Sequence, residues 1–128
     1  MLRALSIRDF VIVPALDLEF EHGFTVLTGE TGAGKSILIE ALSLALGARS
    51  DAGVVRAGCE RAEISAEFDI AVGSPAYAWL DENQLQADGA CVLRRVVDRA
   101  GKSRAFINGS SVPVQQLKTL SEWLIDIQ

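Results

Sequence analysis

Short segments in which hydrophobic and polar residues alternate predict several β-strands in the first half of the chain. Residues 2–10 alternate imperfectly, whereas residues 16–20 and 63–70 place apolar side chains at every second position, as a strand with one buried face requires. Residues 24–28 (FTVLT) form a short apolar run that is typical of a strand buried on both faces. With a turn at His22-Gly23, this pattern predicts two antiparallel strands that lead into a central strand.

The second half of the chain predicts a hairpin and a final strand. Residues 91–98 and 104–107 have strand-like patterns and are joined by a turn at residues 99–102. Asn108-Gly109 predicts a further tight turn. Residues 123–127 (WLIDI) are almost continuously apolar, and we interpret them as a last buried strand.

Three segments have helical patterns. Residues 36–46 are apolar at nearly every position and carry one charge, Glu40, which predicts a helix buried on most sides that ends at Gly47. Residues 77–85 predict a short helix, and Ser111 with Pro113 predicts the start of a helix that runs to about residue 122. After the first of these helices, residues 48–61 are expected to form a loop with one extended piece at residues 54–55.

Length and composition indicate one domain with a substantial core. The chain has 128 residues, of which 49% are hydrophobic, and a formal net charge of −5. This charge argues against a protein that coats nucleic acid through bulk positive charge. Cys59 and Cys91 are far apart and no CxxC pair accompanies His22, so we expect no zinc site and two buried thiols in a reducing compartment.

The N-terminal residues do not resemble a signal peptide. Arg3, Arg8 and Asp9 interrupt any apolar stretch. The apolar run at residues 11–16 contains Pro14 and is far too short to span a bilayer. We therefore expect a soluble, cytoplasmic protein with no membrane partner.

Eight consecutive residues match the phosphate-binding pattern GxxxxGK[ST] at every fixed position: Gly29, Glu30, Thr31, Gly32, Ala33, Gly34, Lys35 and Ser36. They follow an apolar strand and precede a helix, which is the context in which this pattern binds phosphate. Glycines let several backbone N–H groups point at one anion, and the helix expected to begin near Lys35 adds its positive end. Lys35 is expected to reach the β- and γ-phosphates, and the Ser36 hydroxyl is expected to bind Mg²⁺.

Other parts of a complete ATPase are absent from the sequence. Hydrolysis also needs an acidic residue at a strand end for Mg²⁺ and a group that positions the attacking water. Asp126 ends an apolar run and Asp81 follows a weaker one, so either is a candidate for this acid, although a lone loop acid is the commoner case. No LSGGQ-like stretch occurs. The chain therefore looks like half of a catalytic unit.

Basic residues are concentrated in the hairpin at residues 91–107. Five of the 12 basic residues fall within 11 positions and are opposed only by Asp98: Arg94, Arg95, Arg99, Lys102 and Arg104. Such a cluster suits contact with a DNA backbone or with another part of the protein. The alternative is a solvated hairpin whose edge charges prevent aggregation.

Three segments of the sequence carry a family resemblance. These segments are LRALSIRDFVIV, FEHGFTVLTGETGAGKSILIEALSLALGAR and VLRRVVDRAGKSRAFINGSSVPVQQLKTLSEWLIDI. They closely resemble the N-terminal lobe of the head domain in the RecN family, the SMC-like ABC ATPases of bacterial DNA repair. The resemblance covers nearly the whole chain and is weakest between about residues 73 and 89. It implies an α/β fold of the ABC/SMC-head type, in which an antiparallel β-subdomain surrounds a strand–P-loop–helix unit.

The resemblance also implies how such a chain works. Residues 1–128 would form the N-terminal lobe of a longer protein whose C-terminal lobe supplies the signature motif, the Walker B acid and the catalytic glutamate. ATP and Mg²⁺ would be held between two heads, so hydrolysis would need head dimerisation. Such proteins bind DNA in recombinational repair of double-strand breaks, which implies a cytoplasmic protein that associates with the nucleoid after DNA damage. The preference for ATP over GTP rests on this resemblance.

The remaining candidate residues match the family pattern only in part. Its LIDI strand is followed by His-Gly-Gln, whereas here Gln128 follows Ile127 directly, so Gln128 is either the Q-loop glutamine or an unrelated residue. Arg49 and Arg56 follow the P-loop helix, where SMC-like heads carry an arginine near nucleotide and DNA. Phe10 is an aromatic candidate for stacking on the base, with a core position as the alternative.

Two other functions fit the P-loop. A compact P-loop kinase or nucleotide switch would be complete in 128 residues and would use Asp126 or Asp81 on Mg²⁺. A non-catalytic nucleotide-binding module would need neither. ATP turnover by the chain alone distinguishes the first from the half-site interpretation.

Overall fold

The computed structural model describes residues 2–20, 32–86 and 89–124, and for residues 32–35 it describes the backbone alone. The predicted strand at residues 24–28, the His22-Gly23 turn, Asp126 and Gln128 lie outside these ranges. The described residues form six strands, three α-helices and a short 3₁₀ helix, in this order: β1 (Leu2–Phe10), β2 (Val13–Glu19), α1 (Gly32–Ala45), the 3₁₀ helix (Ala52–Val54), β3 (Arg61–Asp69), α2 (Pro75–Glu82), β4 (Ala90–Asp98), β5 (Ser103–Ile107), β6 (Ser110–Val112) and α3 (Val114–Leu124).

The six strands form one antiparallel sheet in the order β2-β1-β3-β4-β5-β6. Helix α1 packs on β1, β3 and β4, and α3 packs on β5 and α2. The core lies between the sheet and the helices, because side chains on alternate strand positions point to that side. Ile7, Ile64, Leu93 and Ile107 are all fully buried there.

The opposite face of the sheet, which we call the outer face, carries polar side chains. Cross-strand neighbours there form ion pairs, as between Arg8 and Asp17 at 3.0 Å and between Arg94 and Glu63 at 3.2 Å. The Arg8 guanidinium, by donating a hydrogen bond to Asp17, holds the pKa of that carboxyl below its usual range, with help from the Ser6 hydroxyl. The one-sided burial explains why residues 63–70 have such a regular pattern.

The strands predicted at residues 2–10, 16–20, 63–70, 91–98 and 104–107 are confirmed, and none of their ends differs by more than three residues. The hairpin turn at residues 99–102 is also confirmed. Asp98 closes it, because its carboxylate accepts hydrogen bonds from the N–H groups of Ala100 and Lys102, both at 2.9 Å.

Helix α1 differs from its predicted form in two ways. It begins at Gly32 rather than near Lys35. Glycine has a low helix propensity, so Gly32 and Gly34 do not mark this start in the sequence. It is also not buried on most sides: Ser36, Ile39, Glu40 and Ser43 are exposed. Gly47 ends the helix as predicted, with a φ of +105° that an L side chain rarely adopts.

The C-terminal part of the chain corrects two predictions. Ser111 lies in β6, so the last helix begins after Pro113, at Val114. Trp123 and Leu124 belong to α3 and not to a strand. The physical reason is visible in the burial: Leu117, Leu120 and Leu124 are buried at helical spacing.

The tight turn at Asn108-Gly109 is confirmed, with φ values of +49° and +88°. The Asn108 side chain also joins three segments. Its Nδ2 donates to the carbonyl oxygens of Leu85 at 2.7 Å and Ala90 at 3.3 Å, and its Oδ1 accepts from the Val92 N–H at 2.8 Å. Asn108 therefore holds the segment after α2 and the start of β4 beside this turn.

The two cysteines are free thiols in different surroundings. Cys91 is fully buried, as predicted, and burial raises its pKa to about 12. Cys59 is only half-buried. Among the described residues there is no cluster of metal-ligating side chains, and none of the described helices is long and apolar enough to cross a membrane.

Candidate nucleotide-binding site

The start of α1 carries the second half of the P-loop motif. Gly32, Ala33 and Gly34 are the first three residues of the helix, and N–H groups at this position have no acceptor within the helix. The first turn of α1 contains no acidic residue. Unsatisfied N–H groups and the positive helix end together favour an anion here.

Ser36 is exposed at the end of this first turn, so its hydroxyl is accessible to a ligand. Lys35 precedes it, and only its backbone is described. Gly29, Glu30 and Thr31 lie outside the described residues. The described part of the motif combines a helix N-terminus, an exposed hydroxyl and a first turn without a carboxylate, which are features that suit the phosphates of a nucleotide.

The other end of α1 is fixed to the sheet by Arg95. The side chain of Arg95 is 2% exposed. Its Nη1 donates to the carbonyl oxygens of Leu44 at 2.7 Å and Ala48 at 2.8 Å, its Nη2 donates to the Ser50 hydroxyl at 3.2 Å, and its Nε donates to the Ser103 hydroxyl. These bonds satisfy carbonyls at the C-terminal end of the helix, where a cation is also favoured.

Burial lowers the pKa of the Arg95 guanidinium, but arginine stays charged because its ordinary pKa is so high. A buried charge of this kind is tolerated when its hydrogen bonds are made. Arg95 thus links the end of α1, the loop that follows it and β5. Sequence reasoning missed this role, although the alternation of β4 would have separated Arg95 from Arg94.

Of the four candidate DNA-binding residues, three lie on the outer face and one, Arg95, does not. Arg94 is on the outer face, where its guanidinium pairs with Glu63 and lies 5.0 Å from the centre of the Phe106 ring. Lys102 and Arg104 are exposed nearby. Because Arg95 lies on the opposite face and is buried, its guanidinium is not available to a ligand on the outer face.

Several other candidates have defined positions. Phe10 is fully buried, which fits its alternative as a core residue. Asp81 lies in α2, so it does not follow a strand and the kinase-like alternative loses that acid. Arg49 is exposed just after α1, and Arg56 is half-buried, with its backbone N–H donating to the Asp9 carbonyl at 2.9 Å.

Comparison with known proteins places the chain in a family. A sequence profile described as AAA domain matches residues 4–122. The chain is 50% identical to the DNA repair protein RecN of Vibrio cholerae and 41% identical to RecN of Bacillus subtilis, in each case over 99% of its own length. It spans about a quarter of those relatives, 23% and 22%.

Solved structures show the same fold. An SMC ATPase from a study of ATP-driven dimerisation and DNA-stimulated activation aligns with a TM-score of 0.73 at 22% identity, over 94% of this chain and 77% of that one. The recombination mediator protein RecF aligns with a TM-score of 0.63 at 19% identity, over 91% and 29%. The predicted α/β architecture of the SMC-head type is confirmed. The chain belongs to the AAA domain family of P-loop ATPases, and its relatives at about half identity are the N-terminal parts of RecN DNA repair proteins.

Proposed function

We propose that this chain is the ATP-binding N-terminal lobe of an SMC-like ATPase head that acts in recombinational repair of DNA double-strand breaks. One observation carries the proposal: a complete GxxxxGK[ST] motif whose last residues form the first turn of α1. The 50% identity to a RecN protein supports the assignment to DNA repair.

Each P-loop residue has a distinct task in this proposal. Backbone N–H groups of Gly29, Gly32 and Gly34 hold the phosphate oxygens, and Lys35 adds a positive charge beside the β- and γ-phosphates. The Ser36 hydroxyl is a ligand for Mg²⁺, which when bound neutralises charge on the phosphate oxygens. Arg95 keeps α1, and hence the first turn, in a fixed position on the sheet.

Hydrolysis in this proposal requires more protein than the 128 residues. The sequence has no signature motif, and the chain covers 23% of its relative from Vibrio cholerae. A C-terminal lobe of the same protein and a second head would complete the site, with Gln128 as the Q-loop candidate. The exposed side of α1 that includes Ile39, 40% exposed, leaves apolar surface for such packing.

The proposal places the protein in the cytoplasm and, after DNA damage, on the nucleoid. DNA contact is assigned to the outer-face cations Arg94, Lys102 and Arg104. This assignment is supported by their position on one side of the β4–β5 hairpin.

Nucleotide binding is tested by titrating the chain with a fluorescent ATP analogue in the presence of Mg²⁺. Replacing Lys35 by Ala removes a charge-assisted contact, which corresponds to about a tenfold to hundredfold weaker affinity. Arg3→Ala is the matched control, since Arg3 pairs with Asp69 at the surface and its loss should leave affinity unchanged. Equal affinities of Lys35→Ala and the unmodified chain would contradict the proposal, and competition by GTP measures the base preference.

A further inference from the structure

A surface cavity of about 490 Å³ lies at the end of α1 that is remote from the P-loop. It is bounded by the residues just after α1, by β5 and by the first turns of α3. Arg49, Arg95 and Lys118 line it together with Ser50 and Ser103, and none of its lining residues is a carboxylate. The carbonyl oxygens at the end of α1 partly compensate Arg95, whereas Arg49 and Lys118 have no carboxylate beside them in the lining, so the local potential favours an anion.

Two of these cations are available for a ligand. Arg49 and Lys118 are exposed and form no ion pair with any residue that the structure describes. Arg49 also borders a second cavity that contains Glu40 and Asp51, yet it is paired with neither. Arg3, Arg8 and Arg94, in contrast, each form an ion pair.

The two serine hydroxyls add neutral donors that Arg95 orients. Ser50 and Ser103 each accept a hydrogen bond from the Arg95 guanidinium, so the oxygen of each hydroxyl is engaged and its own hydrogen remains available. Neither hydroxyl donates to another described residue. Arg95, which is 2% exposed and donates to two backbone carbonyls, forms the floor of the cavity.

The position of Lys118 is set by close packing between two helices. A Cβ atom placed on Gly47 would lie 2.7 Å from Lys118 Cγ and 2.9 Å from its backbone nitrogen. The glycine therefore allows α3 to approach the end of α1 directly. The aliphatic part of the Lys118 side chain packs against Gly47. This packing reduces the conformational entropy that the side chain loses when its ammonium group binds a ligand.

The outer face offers a less suitable anion site. The cavity beside Lys102 and Arg104 has a volume of about 260 Å³ and also contains Glu60 and Asp98. The cavity at the end of α1 combines cations and hydroxyl donors without an acid. It is separated from the P-loop by the length of α1, which is about 20 Å for its 14 residues.

We propose that this cavity, formed by Arg49, Lys118, Ser50 and Ser103 on the Arg95 floor, binds a phosphate group at a second site distinct from the P-loop. Phosphate has the charge and the acceptor oxygens that two cations and two hydroxyls satisfy together. The phosphate is either a diester of a nucleic-acid backbone or a free inorganic phosphate. The P-loop and its nucleotide take no part in this site.

The test compares the unmodified chain with Arg49→Ala/Lys118→Ala and uses a matched control, Arg3→Ala/Arg8→Ala, which removes the same net charge elsewhere. A non-hydrolysable ATP analogue is present at saturation so that the P-loop is occupied. One arm titrates a short fluorescein-labelled DNA duplex at several salt concentrations. The other arm measures the thermal midpoint with increasing inorganic phosphate.

If the ligand is a diester, Arg49→Ala/Lys118→Ala should bind the duplex about fivefold or more weakly than the control, and the slope of log affinity against log salt should fall by about 1 to 2. If the ligand is free phosphate, phosphate should raise the thermal midpoint of the unmodified chain and of the control but not that of the variant. Affinity for the ATP analogue should be the same in all three proteins.

Two results would overturn the proposal. One is that variant and control behave alike in both arms. The other is that the unmodified chain responds to neither probe. A failure of the P-loop assignment would appear separately, as absent binding of the ATP analogue.

Discussion

Arg94 and Arg95 are neighbours in sequence with opposite surroundings. Arg94 lies on the outer face and makes a partly exposed ion pair with Glu63, an interaction worth about 0–1 kcal/mol. Arg95 is buried and donates to two carbonyl oxygens at the end of α1. The difference follows from the alternation of side chains along a strand.

Replacing Arg95 by Met should destabilise the chain by about 3 kcal/mol, because the carbonyls of Leu44 and Ala48 lose a charged donor in a buried site. Arg94→Met is the matched control and should cost about 1 kcal/mol or less. The free energy of unfolding in urea measures both. Equal losses for the two variants would show that Arg95 does not hold α1 to the sheet.

The sequence contains the information needed to separate these two arginines, but charge counting does not use it. Leu93, Arg95 and Val97 share one face of β4. Arg95 therefore occupies a position where the alternating pattern of the strand otherwise has apolar residues. Its acceptors lie 47 and 51 residues earlier in the chain. No local pattern identifies a partner at that separation, and only the packing of α1 on β4 shows it.

At the scale of elements, the β4–β5 hairpin presents its remaining cations to solvent. Lys102 follows the turn that Asp98 closes, and Arg104 lies opposite Val96 on the outer face. Glu60 and Asp98 border the same cavity, so the local charge is mixed. Any contact with DNA here would depend on a few cations rather than on a uniform basic surface.

If the hairpin contacts DNA, Lys102→Ala/Arg104→Ala should weaken duplex binding at low salt and reduce the salt slope by about 1 for each lost phosphate contact. Fluorescence anisotropy of a labelled duplex measures both quantities. Arg3→Ala/Arg8→Ala again controls for net charge. An unchanged affinity and slope would remove the hairpin from the DNA interface.

Elements were predicted well where one face alone is buried and poorly where the apolar pattern is dense. The alternation in β3 identifies its strand and its buried side. The apolar run at residues 123–127 gives no such guide, because a buried strand and the last turn of an apolar helix look alike. Trp123 and Leu124 continue α3 because Leu117 and Leu120 already set a helical stripe.

At the scale of the whole molecule, the described residues form a sheet with helices on one side and a polar surface on the other. The sequence predicted the P-loop and its helix from a local motif, since that chemistry requires fixed spacing. It did not predict β6, which is only three residues long. It also did not predict the hydrogen bonds of Arg95, because the acceptors lie 47 and 51 residues away in sequence. Phosphate binding by the residues of the motif, including those before Gly32, stays a prediction.

The relation between this chain and its relatives sets the main functional expectation. A chain that covers 23% of a RecN protein and contains a P-loop but no signature motif should bind ATP without turning it over. Catalysis needs groups that stabilise the transferred phosphoryl and position water. In the function that we propose, the C-terminal lobe and a second head supply those groups.

A measurement of ATP turnover tests most directly whether the chain alone lacks a complete catalytic site. We would compare phosphate release by the chain alone, by the chain mixed with the C-terminal part of the complete protein, and by the same mixture carrying Lys35→Ala. We predict no turnover by the chain alone, turnover in the mixture, and its loss with Lys35→Ala. Strong turnover by the chain alone as a monomer, abolished by Lys35→Ala, would contradict the half-site account.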